Sequence, residues 1–554
     1  MSINIRSSFD SFRDLRESDS YYADKTGIIE EYLLKHFEKA VLFARPRRFG
    51  KTLTMTMFRD FLDVRQDSRD IFDGLEIMSH PDVVEKYMNR YPVVFISFKE
   101  VFGDDYEKTL RNLQIAVANL FDEFSDLLKS DRVSDIHKES FIQLQKKKAQ
   151  EEDTVQAVDL LARMMHDHYG KQVFIIIDEY DVPMAKALGK PYYNRVRNMV
   201  EHILSYVCKT NQHVKAVMLS GCLYTVKNST YTGVNNIIPY TVLSPLYASY
   251  IGFTDEDVKK LLADTGVSDR YETVAEWYDG YIFGREKMYC PWDVLRYVGS
   301  LLDGSYSEAM GPENYWANTS ETALDIIHGF FGKTAGMTEC FEQLLAGKTI
   351  PCTVNDLVPY HRIHESGENI WSALVETGYL TKAVTERMPR MPLRIPNREI
   401  REVFRQEVWE YFKDRVDNSY VKDFADALWR GENSAAEESL GLILESTLSF
   451  YHEYQEYSYH LILDGLFTGM GYQVLSETES GYGRSDLMIL DPSADRCMIL
   501  ELKHVEKEED MASALQEASD QIIDKKYESR PRYEGYTTRL KYGMAFCDKR
   551  VLIG

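Results

Sequence analysis

VLFARPRRFGKTLTMTMF, residues 41–58, runs an apolar strand into Arg45-Pro46-Arg47-Arg48-Phe49-Gly50-Lys51-Thr52 and then into a helical pattern. A strand, a turn ending in Gly-Lys-Thr and a helix are the context that a phosphate-cradling loop requires. Gly50 would let the backbone approach phosphate oxygens. Lys51 would reach the β- and γ-phosphates and Thr52 would give its hydroxyl to Mg²⁺, while the helix start supplies backbone N–H groups. The general pattern GxxxxGK[ST] puts its first glycine at position 45, where this chain has Arg45. A Gly-Lys-Thr tripeptide by itself also opens ordinary helices, so the reading depends on a partner motif.

That partner is VFIIIDEYDVP at 173–183, an apolar, β-branched strand ending in Asp178 and Glu179. It resembles a Walker B element: Asp178 would hold the Mg²⁺ shell and Glu179 would polarise the attacking water, since phosphoryl transfer needs positioning and charge stabilisation. Carboxylates after a strand also cap the next turn, but the two motifs together point to nucleotide binding. VKAVMLSG at 214–221 supplies a further strand-like run. Residues 1–250 are therefore expected to form an α/β domain with the parallel sheet of a P-loop NTPase.

At 554 residues the chain exceeds what one core usually organises. Hydrophobic residues make up 44% and charged residues 28%, which argues against disorder. The formal net charge of −23 excludes a chain that coats nucleic acid through bulk charge, so any such contact must be local. Seven scattered cysteines read as reduced, mostly buried thiols. The opening MSINIRSSFDSF lacks the long apolar core of a signal peptide, and no window approaches the run of about 20 apolar residues that spans a bilayer. The chain reads as cytoplasmic with no membrane partner, and no self-association interface is legible.

Residues 251–440 turn helical and charge-rich, as in FTDEDVKKLLADTG, where Thr254 is the expected N-cap before first-turn carboxylates. The aromatic patches WYDGYIFG at 277–284 and YWANTS at 315–320 read as core by composition. Strand character returns in DLMIL at 486–490 and CMILELK at 497–503. A helix then runs through about 527 and a strand lies around 542–547, so 441–554 is expected to be a second, smaller α/β domain.

Over most of residues 1–250 the chain resembles the AAA-ATPase-like family of uncharacterised microbial proteins, whose loop reads RPRRFGK[ST]. Arg45 through Thr52 match that variant, and the match extends to upstream YADKT (Asp24, Lys25, Thr26) and to GxLxxxKxS-like and LYASYIGFT-like elements at 221–229 and 246–254. The resemblance makes Arg45 normal for the family and implies ATP as ligand, held by the whole loop from Arg45 to Thr52 with Asp178. Members of the family often carry an arginine in G-x-L-R after the sensor strand. This chain has Gly221-Cys222-Leu223-Tyr224, so a charge sensor is missing there. Arg45, Arg47 or Arg48 could stabilise transition-state charge instead, with a structural ion pair the alternative for each.

In ETESGYGRSDLMILDPSADRCMILELKHVE, Asp486 begins one strand, and Glu501 and Lys503 sit two apart at the end of the next, on one face by the period-two rule. Converging carboxylates can bind Mg²⁺ or Mn²⁺ and a lysine can orient water, although a strand ending in alternating charges is often just a solvated edge. Asp486…Glu501-x-Lys503 resembles the PD-(D/E)xK nuclease superfamily, which implies a restriction-endonuclease-like fold over about 451–547. That resemblance makes Asp486 and Glu501 metal ligands and Lys503 a catalytic cation. It places Glu456, Glu479, Gln521 and Tyr527 in support of them. Arg484, Lys503, Lys507, Lys525 and Lys526 form a basic neighbourhood suited to phosphates.

The expectation is therefore an ATPase coupled to a metal-dependent nuclease acting on nucleic acid, with DNA favoured and RNA left open, and with phage or mobile-element defence as a setting by analogy. The alternative is an ATP-dependent switch whose nuclease-like domain binds a partner or nucleic acid without cleaving it. A helicase-like motor lacks further motor motifs and a basic or aromatic stripe for single-strand tracking.

Overall fold

In the computed structural model Ala40–Ala44 forms strand β1, buried at every residue, and Val173–Asp178 forms β3, equally buried. Val93–Ser97 (β2), Val214–Gly221 (β4) and Ile238–Tyr240 (β5) complete a five-stranded sheet of order β2-β3-β4-β1-β5. All of its pairs are parallel. A parallel sheet is covered by helices on both faces, which is why these strands read as continuous apolar runs without alternation. Parallel strands also end at one edge. Ala44 pairs in register with Gly221, and Ser97 with Asp178, so the loop after β1 and the turn after β3 are delivered to the same side.

The structure describes residues 4–209, 211–224, 234–307, 311–315, 340–341, 343–345, 347–355, 358–386, 388–404, 418–447, 456–476, 479–480, 483–484, 487–524 and 535–554. The chain divides into two compact units, Met1–Ala323 with Pro351–Glu399 and Leu324–Ile350 with Ile400–Gly554. Among the described residues no helix is long and apolar enough to cross a membrane.

In the first unit, helix α1 (Lys51–Leu62) follows the loop directly. Helices α2 (Tyr106–Glu123), α3 (Glu151–Tyr169) and α4 (Tyr193–Cys208) each bury one apolar stripe. The next stretch is largely helical, as expected. Helix α5 (Asp255–Thr265) starts at Thr254, whose hydroxyl accepts from Asp257 N while Asp257 reaches back to the cap, a complete capping box. The 277–284 patch is core: Tyr278, Tyr281 and Phe283 are buried, and Tyr281–Phe283 pairs antiparallel with Glu286–Tyr289. Helix α6 (Pro291–Asp303) packs Val294, Tyr297 and Val298 into the same cluster as Val258 and Leu261. Of the 315–320 patch only Tyr315 lies within the described residues.

The second unit carries a mixed sheet of order β6-β7-β8-β9-β10, formed by Gln473–Ser476, Leu487–Asp491, Arg496–His504, Thr538–Cys547 and Arg550–Ile553. Its only parallel pair is β8 with β9. A parallel pair needs a crossover, and helix α8 (Met511–Asp524) lies between the two strands in sequence. Helix α7 (Glu456–Gly469) precedes β6.

Candidate nucleotide and nuclease sites

Gly50 caps α1 from φ +89°, in the left-handed region where a side chain costs roughly 1–2 kcal/mol. That turn starts the helix, whose first N–H groups have no acceptor within the helix itself. Lys51 folds back across it: its Nζ donates to Pro46 O at 3.1 Å and lies 3.8 Å from a Glu179 carboxylate oxygen. Burial works against the ammonium, yet the charges facing it outweigh burial and hold its pKa above the ordinary lysine value. The Cys222 thiol, 3.8 Å away, is itself pushed up to about 11 by burial. It is neutral near pH 7, so Glu179, Asp181 and Asp178 supply that negative field.

Thr52 Oγ1 donates to Asp178 Oδ2 at 3.0 Å, so the helix start and the end of β3 meet directly. Asp178 is 1% exposed. Burial pushes its carboxyl pKa up, against the pull of hydrogen bonds from Ser220 and Thr52. Ser220, on the intervening strand β4, donates to Asp178 Oδ1 and accepts from Glu179 N at 3.1 Å. One hydroxyl thus sets both acidic residues. Glu179 (φ +53°) and Arg48 (φ +67°) hold left-handed backbone without being glycine, a strain that persists only where the surroundings over-determine it.

Arg48, Gly50, Lys51, Thr52 and Glu179 line a cavity of about 260 Å³. Its apolar side comes from Tyr21 and Tyr22 of the N-terminal segment and from Trp292 and Leu295 of α6. Matching hard oxygens at Thr52 and Asp178, with an ammonium alongside, are a donor set that fits a Mg²⁺-bound polyphosphate.

The arginines of the loop divide. Arg45 is fully buried and turns away from the cavity: it donates to Ala44 O at 2.8 Å, Tyr240 O at 2.9 Å and Tyr247 O at 3.1 Å, and burial lowers its pKa to about 10. Arg48 donates to Tyr315 O and lies over the Trp292 ring at 4.5 Å. Arg47 faces Cys222, Tyr360, Glu179 and Asp181; burial works against its guanidinium, yet its pKa lies above the ordinary arginine value, and with the thiol and phenol neutral the two carboxylates supply that field. Phe49 is buried edge-on to Tyr281 at 5.1 Å and Pro46 is buried too, so these two anchor the loop. In the YADKT element Asp24 accepts from Thr26 N at 2.9 Å and Glu76 N at 2.6 Å, while Lys25 pairs with Asp257. Residues 225–229 of the 221–229 element lie outside the described residues. Tyr224 is buried.

Sequence reasoning did not assign Ser220 or Asp181, although both stand in the quoted strands. A polar residue closing an apolar strand, and a carboxylate three past Asp178, were the available signals. Asp181 is buried and accepts from Cys222 N at 2.9 Å, Leu223 N at 3.0 Å and the Tyr360 hydroxyl at 3.2 Å. It thereby fixes the turn after β4.

In the second unit Glu501 and Lys503 stand on one face near the end of β8, opposite Gly543 and Ala545 of β9. Glu501 is 1% exposed, and Lys503 Nζ lies 3.5 Å from Glu517 of α8. Gln521 is half-buried on α8. Glu456 opens α7, and Glu479 pairs in register with Arg484 across a two-stranded ribbon. Asp486, Lys525, Lys526 and Tyr527 lie outside the described residues. Two polar residues that sequence reasoning passed over, His460 and Asp464, are buried one turn apart on α7. Among the described residues no group of three or more metal-ligating side chains converges.

Residues 6–231 match a family described as predicted AAA-ATPase, and residues 454–554 match the PD-(D/E)XK nuclease superfamily. An uncharacterized protein in the vnfD 5′ region of Azotobacter chroococcum mcd 1 is 27% identical over 399 residues, covering 71% of this chain and 67% of its own length.

Proposed function

We propose that this chain, which joins a predicted AAA-ATPase domain to a PD-(D/E)XK nuclease superfamily domain, binds and hydrolyses ATP in its first unit and cleaves phosphodiester bonds of DNA in its second. The observation that carries the first half is the chain of hydrogen bonds Thr52–Asp178–Ser220–Glu179 beside Lys51, whose two ends, Thr52 and Glu179, line the cavity. Lys51 neutralises the β- and γ-phosphates, and the N–H groups at the start of α1 cradle them. Thr52 and Asp178 would hold Mg²⁺, which when bound offsets phosphate charge. Glu179, its backbone fixed by Ser220, orients the attacking water and takes up its proton.

For the second half, the buried Glu501 with Lys503 on the same strand face supports a metal-dependent site completed by Asp486. Lys503 positions water or balances phosphate charge there, and Mn²⁺ is an alternative to Mg²⁺. Binding without cleavage is the competing reading. The test compares cleavage of single-stranded, duplex and supercoiled DNA, and of RNA, by wild type and Asp486→Ala with Mg²⁺ or Mn²⁺, with and without ATP. Metal-dependent DNA cleavage lost in the variant is the expected result. No cleavage under any condition would leave the nuclease-like domain as a binding module.

A further inference from the structure

Lys99 lies two residues beyond β2 at the edge where Asp178 ends β3. Ser97 Oγ donates to Asp178 Oδ2 at 3.4 Å, and Phe98 N donates to Asp178 O at 2.8 Å. The segment carrying Lys99 is therefore fastened to the acidic end of the nucleotide site. Lys99 lines the same cavity as Gly50, Lys51, Thr52 and Glu179. Its ammonium donates to Asp10 Oδ2 at 3.0 Å, and Asp10 lines that cavity too. The two side chains are 63% and 70% exposed, and an ion pair between such exposed groups is weak and easily exchanged.

Of the cations other than Lys51 that border the cavity with Lys99, Arg6 lies exposed on the N-terminal segment, whereas Lys25 and Arg48 are already engaged. Lys25 donates to Ser249 O at 3.0 Å and pairs with Asp257, and Arg48 is held by Tyr315 O and the Trp292 ring. The position after β4 that holds an arginine in the G-x-L-R pattern is here the buried Tyr224. Phosphoryl transfer through a loose transition state spreads charge over the three equatorial oxygens of the transferred group and builds it on the leaving oxygen, so a second cation beside Lys51 has a defined task.

We propose that Lys99 is that second cation, exchanging its bond with Asp10 for the terminal phosphate of ATP. The inference rests on the ATPase reading above. In the step it serves, the water oxygen bonds to the γ-phosphorus as the bond to the β,γ-bridging oxygen breaks. ADP leaves with that electron pair, and the water's proton passes to Glu179. Lys99 contributes charge and exchanges no proton.

The test uses the full chain at fixed Mg²⁺ and measures affinity for ADP, affinity for a non-hydrolysable ATP analogue, and ATP turnover. Lys99→Met is expected to lower the preference for the analogue over ADP by about tenfold and kcat by about a hundredfold. ADP affinity should stay within about threefold. The unfolding midpoint is unchanged, Lys99→Arg restores part of the analogue preference, and Asp10→Asn strengthens analogue binding by removing the competitor. A merely structural lysine would not separate ATP analogue from ADP. Wild-type preference and kcat in Lys99→Met, with nucleotide binding lost in Lys51→Ala, would overturn this inference and leave the ATPase reading intact. A wild-type chain that binds neither nucleotide would overturn both.

Discussion

The two sheets present their charged residues in opposite ways. In the first unit the polar groups of the site come from separate strands: the loop after β1 and the turn after β3 line the cavity, and Ser220 at the end of β4 is joined to them through Asp178. In the second unit Glu501 and Lys503 come from one strand, and their relation is fixed by the pleat alone. A parallel sheet gathers residues far apart in sequence at one edge, and each is held by a neighbour from another strand. A single strand sets the spacing of its own side chains and needs further elements to complete a site. Substitutions in the first network should therefore propagate to each other.

The largest expected effect lies at Glu179. Glu179→Gln should lower ATP turnover by about 10²-fold or more while nucleotide affinity stays close to wild type, as measured by steady-state hydrolysis and equilibrium titration. Equal losses in turnover and affinity would place Glu179 in binding and not in water positioning. Next is Arg45, whose guanidinium serves three backbone carbonyls. Arg45→Met leaves these without that donor and should cost about 1–3 kcal/mol, read as a lower midpoint in denaturant. An unchanged midpoint would break the division drawn between Arg45 and the cavity-lining residues.

The smallest expected effect is a pH dependence. Burial pushes the Asp293 carboxyl up to about 6, against hydrogen bonds with Cys290 and Glu399. A carboxyl whose pKa is raised in the folded state binds more protons folded than unfolded. Its contribution to stability is therefore full below the ordinary aspartate value near pH 4 and is lost as pH rises through about 6. Asp293→Asn should flatten that part of the stability profile, and an unaltered slope between pH 4 and 6 would contradict the assignment.

Much of this was legible in the residues because the apolar runs are long and end in chemistry. VLFA and VFIII announced β1 and β3, and Thr254 announced its helix through a local cap that tertiary packing did not override. The order β2-β3-β4-β1-β5 was not legible, since strand neighbours are chosen by long-range packing. For the same reason Ser220 looked like an ordinary strand end, and nothing local revealed that it would lie between Asp178 and Glu179. Arg45, read with the loop as a nucleotide-site residue, has its side chain directed into the protein. A loop motif fixes backbone position well but leaves open which way each long side chain turns. In the second unit the period-two reading of Glu501 and Lys503 held because both lie on a regular strand, while buried His460 and Asp464 on α7 were hidden within a mostly apolar helix.

The most direct test of the account is the affinity of the full chain for ATP with Mg²⁺, wild type against Lys51→Ala. Loss of the ammonium between Pro46 O and Glu179 should weaken binding by about 10²-fold or more, measured at a temperature where both proteins are folded. Equal ATP affinity in the two proteins would contradict the assignment of this cavity as a nucleotide site.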